Sequence, residues 1–514
     1  MKKRAKEGLN RRDFLRRSGH NVALAGSGLL ASAWADSSGD ARSAPEQEKE
    51  RGHTRPFLQV GWATVSITPD KPVQLAGQFA ERVSQRVLDP CMATALALER
   101  TGDDGQSEQA IMIACDLVNV GKDAVERIRA AVARRLPDFD SRKLFVNASH
   151  THTGPTLNPG VYKDPDPGVM GPLEYAPFFC AQAEEAAVQA WSARRPGAIS
   201  HALGHAAVGF NRISVYADGS AQMYGKTDRS DYIGPEGGCD HGVEMLFLWD
   251  EHDHPSGIMI NVACPSQVVE GQLYVSADFW GPVRTMLKQR YGERFFVYPM
   301  TGAAGDQSPR DLVRRGRNEP DMRSEPGMME MARRIVRAVE DVYESARRER
   351  ATYPVFRHHI ERLDLPARRV TDEEAAAART EKEQLTALGP PAPGSRDQAM
   401  LRRANDVLNR YENQGASPTY SMNLHVIRLG DVAIATNPFE LYLEYGLRIK
   451  ARSHAQQTFI AQLSDDRGRY LPTPKAVAGG AYGSRITDNN VGPEGGDVLV
   501  ERTVAAINGL WDKA

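Results

Sequence analysis

Two histidines one residue apart, His150 and His152 in ASHTHTGP (148–155), form the most chemically pointed pair in this 514-residue chain. The strand KLFVNASH leads into them, and Gly154 and Pro155 break the chain directly afterwards. At the end of a strand, side chains two apart share one face. Both imidazoles can then address one metal, or one can ligate while the other acts as a base. A second cluster, TGAAGDQSPR (301–310), follows the apolar run FFVYPM. Its small residues let backbone N–H groups approach a ligand, and Ser308 stands where a nucleophile or a substrate-positioning hydroxyl belongs. Glu440 follows a strand in ATNPFELYLEYG, at the head of a helix, where the helix dipole alone would already favour a carboxylate. Tyr470, in DDRGRYLPT, and Tyr482, in GGAYGS, sit in glycine-containing loops where aromatics serve function more often than core. The other histidines call for plain readings: His252 and His254 in a solvated turn, His358 and His359 alternating in and out along a strand.

The elements that must position these groups follow from periodicity. Alternation predicts a strand over 57–69, paired strands over 92–100 and 110–120, an amphipathic helix from Asp123 to Arg135, and a buried strand over 143–150. Further strands are expected at 244–249, 257–263, 295–299, 420–429 and 432–436. Strand, helix and strand in succession predict an α/β fold with a βαβ-like layer. Segment 366–420 differs. Thr371 and Glu374 form a capping box, GPPAPG makes a turn, and Ser395 opens a second helix that ends at Gly415. This reads as a helical hairpin inserted between strands and packed on the surface or at a subunit contact, away from the chemistry.

Composition narrows the class. With 64 Lys and Arg against 66 Asp and Glu, the net charge of -2 speaks against dedicated nucleic-acid binding and offers no basic surface for anionic membranes or polymers. Five cysteines without a CxxC pair signal neither a disulfide framework nor a cysteine zinc site. Cys115 and Cys264 lie in apolar runs and read as buried small hydrophobes. At the N-terminus, NRRDFLR precedes a short apolar stretch and ASAWA, which closely resembles a twin-arginine export signal. The expected organisation is a signal over 1–35, a polar tether over 36–55 and a catalytic domain over 56–514, with a periplasmic or secreted address. No stretch of the mature chain is apolar for long enough to span a membrane.

From about Val60 to Leu510 the chain resembles the catalytic domain of the neutral (non-lysosomal) ceramidases and their bacterial ceramidase-like relatives. NASHTHTGP is the most specific match and AGDQSP the next, with ITPDKPVQLAGQFAER, LDPCMATALALE and ACDLV in support. The resemblance implies layered mixed β-sheets flanked by helices, and a zinc-dependent hydrolase of an N-acyl amide bond. It makes His150 a zinc ligand and His152 a neighbour of substrate or reacting water. Arg212, in GFNRIS, would polarise the substrate, and Ser308 would lie near the scissile amide. Glu440 and Tyr470 would be the carboxylate and tyrosine ligands, and Tyr482 would support the oxyanion. The expected partner is a small-molecule or lipid-like N-acyl compound. The family's C-terminal immunoglobulin-like module has no counterpart after LWDKA, which speaks against lipid-surface docking and against ceramide itself.

One position departs from the family pattern. Where a second histidine ligand is expected, the chain reads NVACPSQVVEGQ, with Pro265 at the place of the imidazole. Three outcomes follow: His241, in GCDHGVEML, replaces it; His152 ligates directly; or the metal is weak or absent. The alternatives to an amide hydrolase are a carbohydrate-active hydrolase or lyase on the same scaffold, and a binding protein that has lost its metal.

Overall fold

The computed structural model describes residues 57–102, 105–314, 322–415 and 418–512, so the expected signal and tether lie outside the described residues. Eight strands build the larger sheet: β1 (Leu58–Ser66), β2 (Met92–Thr101), β3 (Ser107–Cys115), β4 (Leu144–Ala148), β5 (Arg195–His205), β6 (Gly242–Asp250), β7 (Pro255–Val262) and β8 (Phe296–Thr301). Their spatial order is β8-β7-β6-β5-β1-β2-β3-β4. Neighbours run antiparallel except at the two ends, where β3 pairs with β4 and β7 with β8 in parallel. Each parallel pair is joined through a helix, α1 (Lys122–Arg135) for the first and α3 (Trp280–Tyr291) for the second. That is the strand–helix–strand unit a parallel pair requires.

A second sheet of four strands, β9 (Phe356–Pro366), β10 (Thr419–Leu429), β11 (Val432–Thr436) and β12 (Gln457–Ala461), lies in that order, with β11 and β12 parallel. Its apolar face packs on the larger sheet through Phe145, Leu246, Tyr298, Ile434 and Phe459, all essentially solvent-free. On the far side of the larger sheet lie α1, α2 (Pro172–Ser192), α3 and α4 (Glu325–Arg348). Helices α7 (Leu443–Arg452) and α8 (Pro493–Gly509) cover the second sheet. The result is four layers: helix, sheet, sheet, helix. Truncating one of the buried aromatics between the sheets to alanine removes ~3–5 kcal/mol at such a position.

Among the described residues no helix is long and apolar enough to cross a membrane. The five cysteines are free, with Cys115 and Cys264 fully buried as their apolar runs require. The hairpin helices are α5 (Asp372–Thr386), opened by the Thr371–Glu374 capping box, and α6 (Arg396–Asn413), capped by the Ser395 side chain.

Behind β4, a buried polar chain ties the two sheets together. His358 Nδ1 donates to the Gln109 carbonyl at 3.1 Å and its Nε2 meets His425 at 3.0 Å, and His425 lies 3.1 Å from Asp465. Burial, with His425 beside it, holds the His358 pKa well below the ordinary histidine range. The unfolded chain therefore binds the proton more readily, so this residue's contribution is present above about pH 6.5 and is lost as pH falls. Urea unfolding should show stability declining from about pH 7 to about pH 5, and declining less in His358→Gln, which has no ring to protonate. Equal declines in the two proteins would contradict this account.

Candidate active site

Segments that follow β1, β3, β4, β5, β7, β8, β11 and β12 meet over one cavity of about 990 Å³. His150, His152, Arg212, Glu440, Tyr470 and Tyr482 all line it.

The β4 loop delivers both histidines, though not as a continued strand. The strand stops at Ala148, and His150 adopts a left-handed backbone (φ 63°), a conformation uncommon for histidine. That turn brings the two imidazoles together, with Nε2 of His152 3.2 Å from Nε2 of His150. Nδ1 of His150 donates to the Val118 carbonyl at 2.7 Å, which leaves the neutral ring's lone pair on Nε2. Glu440 Oε2 is 3.4 Å from that atom. A two-residue parallel ladder sets Glu440 beside Tyr470 in register. Burial works against the Glu440 charge, but His150, Tyr470 and Arg212 outweigh it and hold the carboxyl below its usual range. The Tyr470 phenol is pushed well above 10, chiefly by burial and then by Glu440.

The surroundings of His152 favour its neutral form. Burial, and then His150, Arg82, Arg212 and Arg310, push its pKa well below the histidine range. Its Nε2 is 2.7 Å from the Gln267 amide nitrogen, so it accepts, and its Nδ1 faces Glu270 Oε2 at 3.7 Å. Glu270 is held by an ion pair to Arg310 and by the Gln78 amide. Its segment is pinned by Asp278, which accepts from the Val269 N–H and whose carboxyl burial pushes up to about 7.

Arg212 is the hub of the site. It donates to Tyr470 Oη (3.2 Å), Gln267 Oε1 (3.2 Å) and the Gly305 carbonyl (2.7 Å). Burial opposes its charge, yet Tyr470, Tyr224 and Glu440 raise its pKa overall. Tyr482 closes the ring of aromatics, edge-on to Tyr470 at 5.6 Å and to Phe79 at 5.8 Å.

Two expected residues do not join this group. Ser308 is fully buried, pairs against Phe210, and its Oγ accepts from the Arg310 N–H at 3.0 Å; it does not line the cavity. The AGDQSP loop instead works as a scaffold. Gly305 packs so closely on the Glu440 carbonyl that a Cβ has no room, and its own carbonyl holds Arg212. His241 is also elsewhere: its Nε2 donates to the Gly209 carbonyl at 3.0 Å and its ring lies edge-on to Phe210, away from the cavity-lining residues. It does not replace the histidine missing at Pro265. That segment contributes Gln267 and Glu270, which sequence reasoning passed over; their signal was proximity to the departing position.

The donor set can be weighed against the zinc that the resemblance implies. Counting only His, Cys, Asp and Glu, no group of three is placed to hold a metal among the described residues. The phenol supplies a third donor beside two of these: His150 Nε2, Glu440 at 3.4 Å from it, and Tyr470 in register with Glu440. Three protein donors with an open position is the pattern of catalytic zinc sites, so the residues suit the ion in kind.

Gly77 gives one sharp prediction. It lies over His152 at φ 95°, and a Cβ there would stand 2.5 Å from His152 Nδ1. Gly77→Ala should lower stability by ~1–3 kcal/mol through backbone strain alone. It should also displace the imidazole, read as a shifted His152 resonance in NMR; an unmoved resonance would contradict the packing.

Comparison with known proteins is then informative at the level of fold. The neutral ceramidase of Pseudomonas aeruginosa superposes with a TM-score of 0.65 at 16% identity, covering 88% of this chain and 75% of that one. A ceramidase complexed with C2 gives 0.64 at 14% identity, covering 89% and 76%. No family model matches the sequence. No curated protein matches it either. The chain has the mixed α/β fold of the bacterial neutral ceramidases.

Proposed function

We propose that this chain is a ceramidase-like hydrolase that cleaves an N-acyl amide bond. The observation that carries the reading is the convergence of His150, His152, Arg212, Glu440, Tyr470 and Tyr482 on one cavity of a ceramidase-type fold. His150 Nε2, the Glu440 carboxylate and the Tyr470 phenol are the groups that would hold a zinc ion, whose chemistry there is to polarise a carbonyl and acidify a bound water.

The chain's own residues supply the rest. Neutral His152 has its lone pair on Nε2, where the Gln267 amide donates at 2.7 Å; when that amide gives way to a water placed beside the His150–His152 pair, the ring takes the water's proton. Glu270, facing Nδ1, offsets the positive charge that develops on the ring. Tyr482 and Arg212 donate to the oxygen of the tetrahedral intermediate. His152 then returns the proton to the departing nitrogen, leaving a carboxylate and an amine. Export by the twin-arginine route belongs to the same reading and is checked by cell fractionation of a wild-type and an Arg11→Lys, Arg12→Lys chain.

The test is direct. The purified protein is incubated with a panel of N-acyl compounds, from ceramides to N-acetylated sugars, and free amine is quantified. Amine release that Tyr482→Phe reduces is the expected result. No amine from any member, with or without added zinc, would overturn the proposal.

A further inference from the structure

The wall of the cavity has a chemistry of its own. Helix α6 of the inserted hairpin contributes Arg396, Arg402 and Arg403, and the loop after β12 contributes Arg467 and Arg469. With Arg485, Arg212 and Arg310 the lining holds eight arginines against six carboxylates. Several of these carboxylates are already committed: Asp488 to Arg403 and Arg485, Asp406 to Arg469, Glu270 to Arg310. Among the described residues Arg402 donates to the Gly160 and Val161 carbonyls alone. The side chains of Arg396 and Arg467 have no hydrogen bond or ion pair among the described residues, and Arg396 lies 6.0 Å from the Phe79 ring centroid. The arginines also oppose one another. After burial, Arg469 and Arg402 depress the Arg467 pKa, and Arg403 and Arg396 depress that of Arg485.

Large aliphatic side chains are few here: Val118, Val161, Met223, Met400 and Leu463. A long acyl chain needs a continuous apolar channel, and this lining does not provide one. Aromatic faces do occur, from Phe79, Tyr162, Tyr224, Tyr470 and Tyr482, beside the amides of Asn119 and Asn158. A second cavity of about 730 Å³ shares Phe79, Glu270, Arg310 and Arg396 with the first and adds Arg82, so the cleft runs beyond the reaction site.

We propose that the cleft takes a carboxylate-bearing, polyhydroxylated N-acyl substrate, an acidic amino-sugar oligomer, in place of a neutral lipid. Guanidinium forks match carboxylates two bonds at a time, and partial burial strengthens each pair. The aromatic rings offer apolar faces to sugar rings, with polar tips for hydroxyls. The net charge of the whole chain conceals this local excess, so the expectation of no basic surface for anionic polymers is corrected for the cleft. The proposal rests on the amide-hydrolase reading for its N-acyl group, while the anionic class rests on the arginines alone.

Binding and turnover are therefore measured separately on the full chain. Hyaluronan tetrasaccharide and chitotetraose carry N-acetyl groups on rings and differ in carboxylates. Calorimetric titration should show the hyaluronan probe binding about tenfold or more tightly, with the advantage shrinking in high salt. The advantage should fall in Arg402→Gln with Arg467→Gln, and also in the exposed single variant Arg396→Gln, with unfolding curves recorded for all. Equal affinity for the two probes, or tighter binding of a ceramide than of either, would overturn the anionic class. Selective binding without release of amine would leave the anionic class standing and count against the hydrolase reading.

Discussion

His152→Gln should lower kcat/KM on N-acyl substrates by roughly 10²–10⁴-fold while the protein folds as before. The ring is buried, neutral, and engaged at Nε2 by Gln267, with Nδ1 toward Glu270. Glutamine fills much of the same space with a polar end, so packing survives. What disappears is the lone pair that takes and returns a proton. Because the ring is already uncharged in the folded state, no buried charge is left behind. Steady-state kinetics beside a thermal melt check the claim. A variant within a few-fold of wild type would move the proton-transfer role elsewhere, with Glu270 the nearest carboxylate.

Arg212→Met should combine a ~10²–10³-fold loss of kcat with a loss of about 3–5 kcal/mol in stability. The guanidinium is buried and donates to Tyr470, Gln267 and the Gly305 carbonyl, and its charge supports that of Glu440 on the cavity wall. Removing it leaves the Glu440 carboxylate with less compensation and frees three acceptors. Arg212→Lys separates the roles, because lysine keeps the charge and lacks the fork. It should recover stability more than rate. If kcat survived in both variants while stability fell, Arg212 would be a strut and not a participant.

Much of the scaffold was legible in the sequence because it is local. The 107–115 strand, the helix beginning at Lys122 and the Thr371 capping box are set by periodicity and neighbours a few residues away. The HTHTGP segment announced itself by residue type, although its imidazoles converge through a left-handed His150 and not along a strand face. What was not legible depends on where side chains point after distant segments meet. His241 reads like a spare ligand until its Nε2 is seen spent on the Gly209 carbonyl. Ser308 reads like a nucleophile until the strand pair with Phe210 buries it. Gln267 and Glu270 carry no metal-site spacing of their own, and they matter only because Pro265 sits beside the histidine loop. The hairpin's amphipathic pattern is that of any surface helix, so the sequence alone places it away from the chemistry. Its arginines gain meaning from the cavity they face, and a whole-chain charge of -2 averages them away.

The central claim is that the His150–His152 cavity hydrolyses an amide. The most direct measurement is product analysis by mass spectrometry after incubating the purified chain with N-acetylated acidic oligosaccharide, against the His152→Gln variant. The account predicts a product lighter by one acetyl group, with acetate released in equal amount, and neither in the variant. Chain shortening with an unsaturated sugar end would contradict it and identify a lyase on the same scaffold.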